Sequence, residues 1–242
     1  MNIGTVVEGP TDRLILKTMV TAIIPGRHRF FPLQPMETFG KTGTGWKGVR
    51  RWCQDLRRRG GAGIESILSD KTGPPLDLLV IQVDADVADE PDLVQDSPTS
   101  AEISKPCPPV ADTVEGLRAV IQQWINRRCL PTGVILAIPA QDIEHWIFAA
   151  LFPEDPCCQR EDYECPKPIR QSPAYLLSLE SYGKLTRRKG NTIKKPQRRY
   201  HSCIDTITRN INMIEQICTQ GHRFRQDLRD HLGQHTAPEG TK

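Results

Sequence analysis

Apolar positions along the chain fall into two kinds of pattern. Short, nearly continuous apolar runs occur at Ile3 to Val7, Asp77 to Val83 and Gly133 to Ile138, with a weaker one at Arg29 to Leu33. Runs of that length, without polar alternation, are the mark of strands buried on both faces of a parallel sheet. Between them, apolar residues recur every three or four positions. Ile15, Leu16, Met19, Val20 and Ile23 predict a helix capped by Thr11 or Asp12 and ended by Pro25-Gly26. Trp46 to Arg58 predicts a second helix. Val114, Leu117, Ile121, Trp124 and Ile125 predict a third. Asp142 caps a fourth that holds Glu144, Trp146, Ile147 and Phe148. Further on, Ile204, Ile207, Ile211, Ile214 and Cys218 predict one strong helix.

Strand and helix thus alternate from residue 3 to about 152. The expected fold class is α/β, a mainly parallel sheet flanked by helices. Residues 1–152 form the predicted α/β catalytic domain, and residues 153–242 a basic, mainly helical C-terminal extension. Two stretches read as loops: the glycine-rich Phe39 to Gly48, and Ser97 to Pro109. Gly40-Lys41-Thr42 invites a phosphate-loop reading, but Pro35 stands where a Walker A motif needs glycine.

Charge sharpens this division. The chain has a net charge of only +3, with 38% hydrophobic and 25% charged residues, so it is neither disordered throughout nor uniformly basic. Residues 181–242, however, carry thirteen Lys and Arg against five Asp and Glu. Lys184, Arg187, Arg188, Lys189, Lys194, Lys195, Arg198 and Arg199 fall within sixteen residues that contain no acid. Such a run can neutralise phosphates and release counterions, and the flanking Tyr182 and Tyr200 can stack on bases. Arg187, Arg188, Lys189, Lys194, Lys195, Arg198 and Arg199 are the candidate nucleic-acid contacts. The opposite pole runs from Asp84 to Asp112, with eight acids against Lys105. No apolar run reaches the ~18 residues of a membrane span, and the N-terminus lacks a basic leader, so the expected location is the cytoplasm, with no membrane partner. The eight cysteines are then expected to be reduced thiols. Cys157, Cys158 and Cys165 cluster, with poor spacing for zinc, and the sequence does not decide whether they bind it.

The chemistry lies in the carboxylates. In open parallel sheets, ligands bind beyond the carboxyl ends of strands, near a switch in strand order. Glu8 follows the first strand; Asp84 and Asp86 follow the strongest one. If those strands are neighbours, three carboxylates converge. Two like charges ~4 Å apart repel by roughly 4 kcal/mol at an effective dielectric of ~20. A cation or shifted pKa values must relieve this, and hard oxygen ligands suit Mg2+ or Mn2+. Asp89 and Glu90 read as solvated, Trp146 as core, and His145 as a surface residue.

Val6-Val7-Glu8-Gly9-Pro10-Thr11-Asp12 and Val80-Ile81-Gln82-Val83-Asp84-Ala85-Asp86 together resemble the opening motif and acidic pair of the Toprim domain. The resemblance covers about residues 1–150 and implies a Rossmann-like sheet. Ile138-Pro139-x-x-Asp142-Ile143-Glu144-x-Trp146 and Ser172-Pro173-Ala174, followed by Tyr182-Gly183-Lys184, are similar to a Toprim-related group of small bacterial proteins often encoded beside an ATPase in anti-phage loci. That resemblance adds Glu144 as a further acid near the metal and Lys184 as a phosphate or leaving-group contact. The spacing from Glu8 to Asp84 is long for a minimal Toprim core and predicts an insertion around Phe39 to Gly73.

The expected function is that of a metal-dependent phosphodiester hydrolase, a Toprim-type nuclease acting on DNA or RNA. Glu8, Asp84 and Asp86 would hold Mg2+, and Glu8, Asp84, Asp86, Glu144 and Lys184 would be the catalytic set. The resemblance implies antiviral defence under a separate ATPase, because the chain carries no Walker motif. The alternative is a non-catalytic Toprim-like subunit that binds nucleic acid or a partner. A haloacid-dehalogenase type of phosphotransferase also uses D-x-D after a strand, but there the pair follows the first strand. A homo-oligomer stays open.

Overall fold

Residues 1–35, 43–58, 63–69, 74–96, 102–190 and 192–236 are described by the structure, a computed structural model. The first part runs β1 (Asn2–Val6), α1 (Pro10–Ile23), β2 (Arg29–Gln34), α2 (Trp46–Arg58), α3 (Ile64–Leu68), β3 (Leu78–Gln82), α4 (Pro91–Val94), α5 (Ala111–Trp124), β4 (Val134–Ala137) and α6 (Ile143–Leu151). After it come α7 (Pro173–Leu176), the strands β5 (Arg187–Lys189) and β6 (Thr192–Lys194), then α8 (Gln197–His201), α9 (Ile204–Arg209), α10 (Ile211–Ile217) and α11 (Thr219–Thr236).

β1 to β4 form an all-parallel sheet in the order β2-β1-β3-β4, flanked by helices. The α/β expectation holds at that level. The chain first winds outward from β1 to β2, then returns to β3 on the other side of β1. The switch in strand order therefore lies between β1 and β3, in register Ile3↔Leu78 to Val6↔Ile81. Alternation within each strand feeds two cores. Leu78, Val80, Ile135 and Ala137 face α1, α6 and the C-terminal helices. Leu79, Ile81, Val134 and Leu136 face α2 and α5. Both sheet faces are thus covered, which is why the strands read as unbroken apolar runs. The segment expected as an insertion holds α2, whose Val49, Cys53 and Leu56 belong to the second core. That helix is the crossover covering one sheet face. Gly40-Lys41-Thr42 lies outside the described residues.

The C-terminal part shares a core with the first. Tyr200, Ile207, Ile214, Phe224 and Leu228 are buried with residues of β1, α1 and α6. Trp146, correctly read as core, stacks on Phe224 with ring centroids 5.8 Å apart. Residue 152 therefore marks a change in composition and secondary structure, while the apolar core runs across it.

Four expectations need correction. The α1 cap is Gly9, with Pro10 at the first helical position. Asp12 reaches back from the first turn to the Gly9 N–H, as an acid there can. The single helix expected over Ile204 to Cys218 is two. Asn210 leaves helical geometry and donates from Nδ2 to the Ala150 carbonyl at 2.8 Å, tying the break to α6. Periodicity survives the break because Ile207 and Ile214 still face the core on either side. Gly221 lets α11 fold back on α10; a Cβ there would stand 2.6 Å from Ile214 Cγ2. The basic run also contains a hairpin, β5 paired antiparallel with β6, which its lack of apolar alternation concealed. Finally, Cys107 and Cys165 are disulfide-bonded, with Cα atoms 5.6 Å apart across 58 residues. This corrects the all-reduced expectation and removes Cys165 from any zinc group with Cys157 and Cys158. Among the described residues no helix is long and apolar enough to cross a membrane.

If the C-terminal helices complete the core, Phe224→Ala will lower the stability of the whole chain by about 3–5 kcal/mol in one cooperative denaturant transition. Two resolved transitions, with the sheet unaffected, would show instead that the C-terminal helices are an independent appendage.

Candidate functional site

The site grows from the two strands flanking the switch point. β1 ends at Val6, and Glu8 follows as the chain turns into α1. β3 ends at Gln82, and Asp84 opens the 3-10 turn Ala85–Asp89. The fully buried Gln82 joins them: its Oε1 accepts from the Glu8 N–H at 3.1 Å, and its Nε2 donates to Asp84 Oδ1 at 2.7 Å. Glu8 Oε1 in turn accepts the Asp84 N–H at 2.8 Å. The convergence expected of Glu8 and Asp84 is therefore present. Gly9 keeps this turn tight, since a Cβ there would sit 3.1 Å from Asp12 Oδ2.

α6 supplies the other wall. Asp142 is its N-cap, and its carboxylate bonds the His145 ring, Oδ1 to Nδ1 at 2.7 Å. His145 is buried, which corrects its reading as a surface residue; it packs under Tyr163, whose hydroxyl donates to the His145 carbonyl at 2.7 Å. Glu144 is fully buried. It accepts from the Tyr200 hydroxyl at 2.8 Å and pairs with Lys195 Nζ at 2.6 Å.

Lys195 changes the picture most. Expected on a phosphate-binding surface, it points inward, where the charges of Glu144, Asp12, Asp84 and Asp142 all act on it. Burial alone would depress its pKa, but those carboxylates raise it well above the usual lysine range. Tyr200 is likewise buried against Glu144 and is not available to stack on a base.

The acids respond to the same crowding. Burial, with Asp12 and Asp86 behind it, pushes Glu8 up to about 8. Burial and the neighbouring Glu8 raise Asp84 well above the carboxylate range. Asp86 faces solvent at the rim of the cleft, yet the protein around it and then Asp142 raise it to about 6. Burial lifts Glu144 to about 7 against the pull of Lys195. Burial also raises the fully enclosed Asp12. Asp142 runs the other way: burial opposes ionisation, and His145 outweighs it.

The donor set suits a hard divalent cation in its chemistry. All the donors are carboxyl oxygens, they outnumber the one ammonium among them, and Asp12 Oδ1 is buried without a hydrogen-bond partner. Among the described residues no three His, Cys, Asp or Glu side chains already stand together as a cage for an ion. The cation among these acids is the Lys195 ammonium.

The remaining predicted residues lie around this centre. Lys184 is exposed and pairs with Glu180 at 2.7 Å. Arg187, Arg188 and Lys189 on β5, Lys194 on β6, and Arg198 are exposed. Arg188 also donates to the Tyr175 hydroxyl at 3.0 Å. Arg199 turns inward and donates to the Lys184 and Thr186 carbonyls, bracing the base of the hairpin. Asp89 and Glu90 are solvated as expected. Sequence reasoning missed Asp12, Gln82 and Asp142. Asp12 had a signal, since it closes the same Glu-Gly-Pro-Thr-Asp motif that singled out Glu8. No protein-family model, curated protein or solved structure matches the chain.

Raised carboxylate pKa values make a signed prediction. Glu8 and Glu144, raised from 4.5 to about 8 and about 7, keep protons in the folded chain that the unfolded chain has lost. Stability therefore falls as pH rises from 4.5 towards about 8. Denaturant titrations across that range will show the fall, and Mg2+ or Mn2+ at the alkaline end will reverse it. A flat profile unaffected by either ion would contradict the reading.

Proposed function

We propose that the chain is a Toprim-like, metal-dependent phosphodiester hydrolase acting on nucleic acid. The observation that carries this reading is the meeting of Glu8 and Asp84 across the switch point, with Asp86 and Asp12 beside them and an unpartnered buried oxygen on Asp12. Glu8, Asp84 and Asp86 are the residues that would hold Mg2+ or Mn2+. A divalent ion there supplies an acidified water and offsets charge on the phosphate oxygens.

The chain's own residues prepare for that step. Gln82 fixes the Glu8 backbone and the Asp84 carboxylate, so both acids keep one orientation. Where it does not ligate the ion, Glu8 would be the group that takes the proton of the attacking water. Lys195 brings a positive charge within the cleft that Asp86 and Asp142 line, where it can neutralise a phosphate oxygen. The exposed cations of β5 and β6 lie directly before Lys195 in the chain and can hold the flanking backbone. Arg13 and Lys17 line a second opening of about 550 Å³ beside α1, which offers further cations. Lys184 remains a proposed phosphate contact. Control by a separate ATPase in antiviral defence rests on the resemblance alone.

A second reading is a non-catalytic Toprim-like subunit that binds nucleic acid or a partner. The Lys195–Glu144 pair favours it, because a tethered ammonium neutralises the acids without an external ion.

The two readings part in a cleavage assay on single- and double-stranded DNA and RNA with Mg2+, Mn2+ or EDTA. The hydrolase reading predicts metal-dependent cleavage that Glu8→Gln and Asp84→Asn each reduce by about 10²-fold or more, a loss typical of removing one group that assists proton transfer or stabilises transition-state charge. Absence of cleavage with every substrate and metal, alone and with an ATPase partner, would support the binding subunit.

A further inference from the structure

Two cavities lie side by side and share Lys167 in their walls. One is the acidic cleft, about 370 Å³, reached past Asp86, Asp142 and Lys195. The other, about 320 Å³, is lined by Pro173, Leu176 and Tyr182, by Asp155, and by Arg170 together with Arg160 and Lys167, both of which pair with Asp162. Its size falls within the ~300–1,000 Å³ range of small-ligand sites. The partition between them carries the 3-10 turn Ile169–Gln171. On this turn, Ile169 lines the acidic cleft and Arg170 lines the second cavity. Ile169 is 49% exposed, the only large hydrophobic residue so exposed among the described residues.

An exposed isoleucine on a ridge between a phosphate-processing cleft and a cavity with apolar and cationic side chains in its wall has a consistent chemical meaning. Apolar wedges of this kind insert between base steps and unstack them. The freed base then needs an apolar slot, and its phosphates need cations beside that slot. We propose that the second cavity receives the base of an unpaired nucleotide while the neighbouring phosphate enters the acidic cleft, with Ile169 as the wedge between them. The substrate class is then single-stranded or frayed nucleic acid, because an already unpaired base costs least to turn out. This deepens the hydrolase reading and rests on it only for the fate of the phosphate.

The test is binding by the full chain in EDTA, where metal-dependent cleavage is silent. Fluorescence anisotropy compares a labelled single strand with the same sequence in a closed duplex, as DNA and as RNA. Leu176→Trp fills the cavity; Ile169→Ser and Arg170→Ala alter exposed positions and keep the test alive if the tryptophan variant misfolds. Wild type should bind the single strand about tenfold more tightly, the equivalent of one stacked base, and Leu176→Trp and Ile169→Ser should each abolish that preference. A 2-aminopurine in the strand should change emission on binding to the wild type and not to Leu176→Trp. Equal affinity for both forms, or a preference that survives these substitutions, would overturn the proposal. Selective binding without cleavage in Mg2+ or Mn2+, alone and with an ATPase partner, would sink the hydrolase reading and leave the base site standing. Equal cleavage of duplex and single strand, unchanged in Leu176→Trp, would do the reverse.

Discussion

One half-buried ammonium, that of Lys195, sits among carboxyl groups that must otherwise relieve their crowding by holding protons. Two like charges ~4 Å apart cost roughly 4 kcal/mol even at an effective dielectric of ~20. Glu8, Asp12, Asp84, Asp142 and Glu144 are brought into one region by β1, α1, β3 and α6, and Lys195 is the cation on which their charges act. Glu144 is fully buried, so loss of Lys195 would leave it to hold a proton or a stranded charge. The fold therefore depends on the segment at residues 195–201, which delivers both Lys195 and Tyr200 to Glu144.

That dependence explains why the C-terminal part cannot be a detachable basic tail. Its surface is basic, through Arg187, Arg188, Lys189, Lys194 and Arg198, but its inner side closes the acidic centre and completes the core beneath α1 and α6. Charge on one face and burial on the other place a cationic hairpin immediately before the lysine that meets the carboxylates. The hairpin's base is fixed by Arg199, and its last residue leads straight into Lys195. The exposed cations of the hairpin and the ammonium that meets the acidic centre are parts of one short stretch of chain.

Much of the sheet was legible because β1, β3 and β4 are buried on both faces and each crossover helix keeps its period. Glu8, Asp84 and Asp86 were legible because they follow such strands, and strand ends in a parallel sheet point to a shared edge. Lys195 was not. In the sequence it belongs to a run of cations, and nothing local distinguishes the one that turns inward from its exposed neighbour Lys194. Asp12 and Asp142 were hidden in a similar way, since each reads as a helix-start acid. The C-terminal breaks at Asn210 and Cys218 escaped because Ile207 and Ile214 keep their spacing through them. The Cys107–Cys165 bridge spans 58 residues, and no local pattern announces a pairing set by tertiary packing.

The most direct measurement is an anomalous difference map from crystals of the full chain soaked in Mn2+. The account predicts a manganese peak bounded by Glu8, Asp84 and Asp86, and its disappearance in Asp84→Asn. A map with no peak at that edge, and with Lys195 still paired to Glu144, would contradict the claim that these carboxylates are arranged to hold a metal.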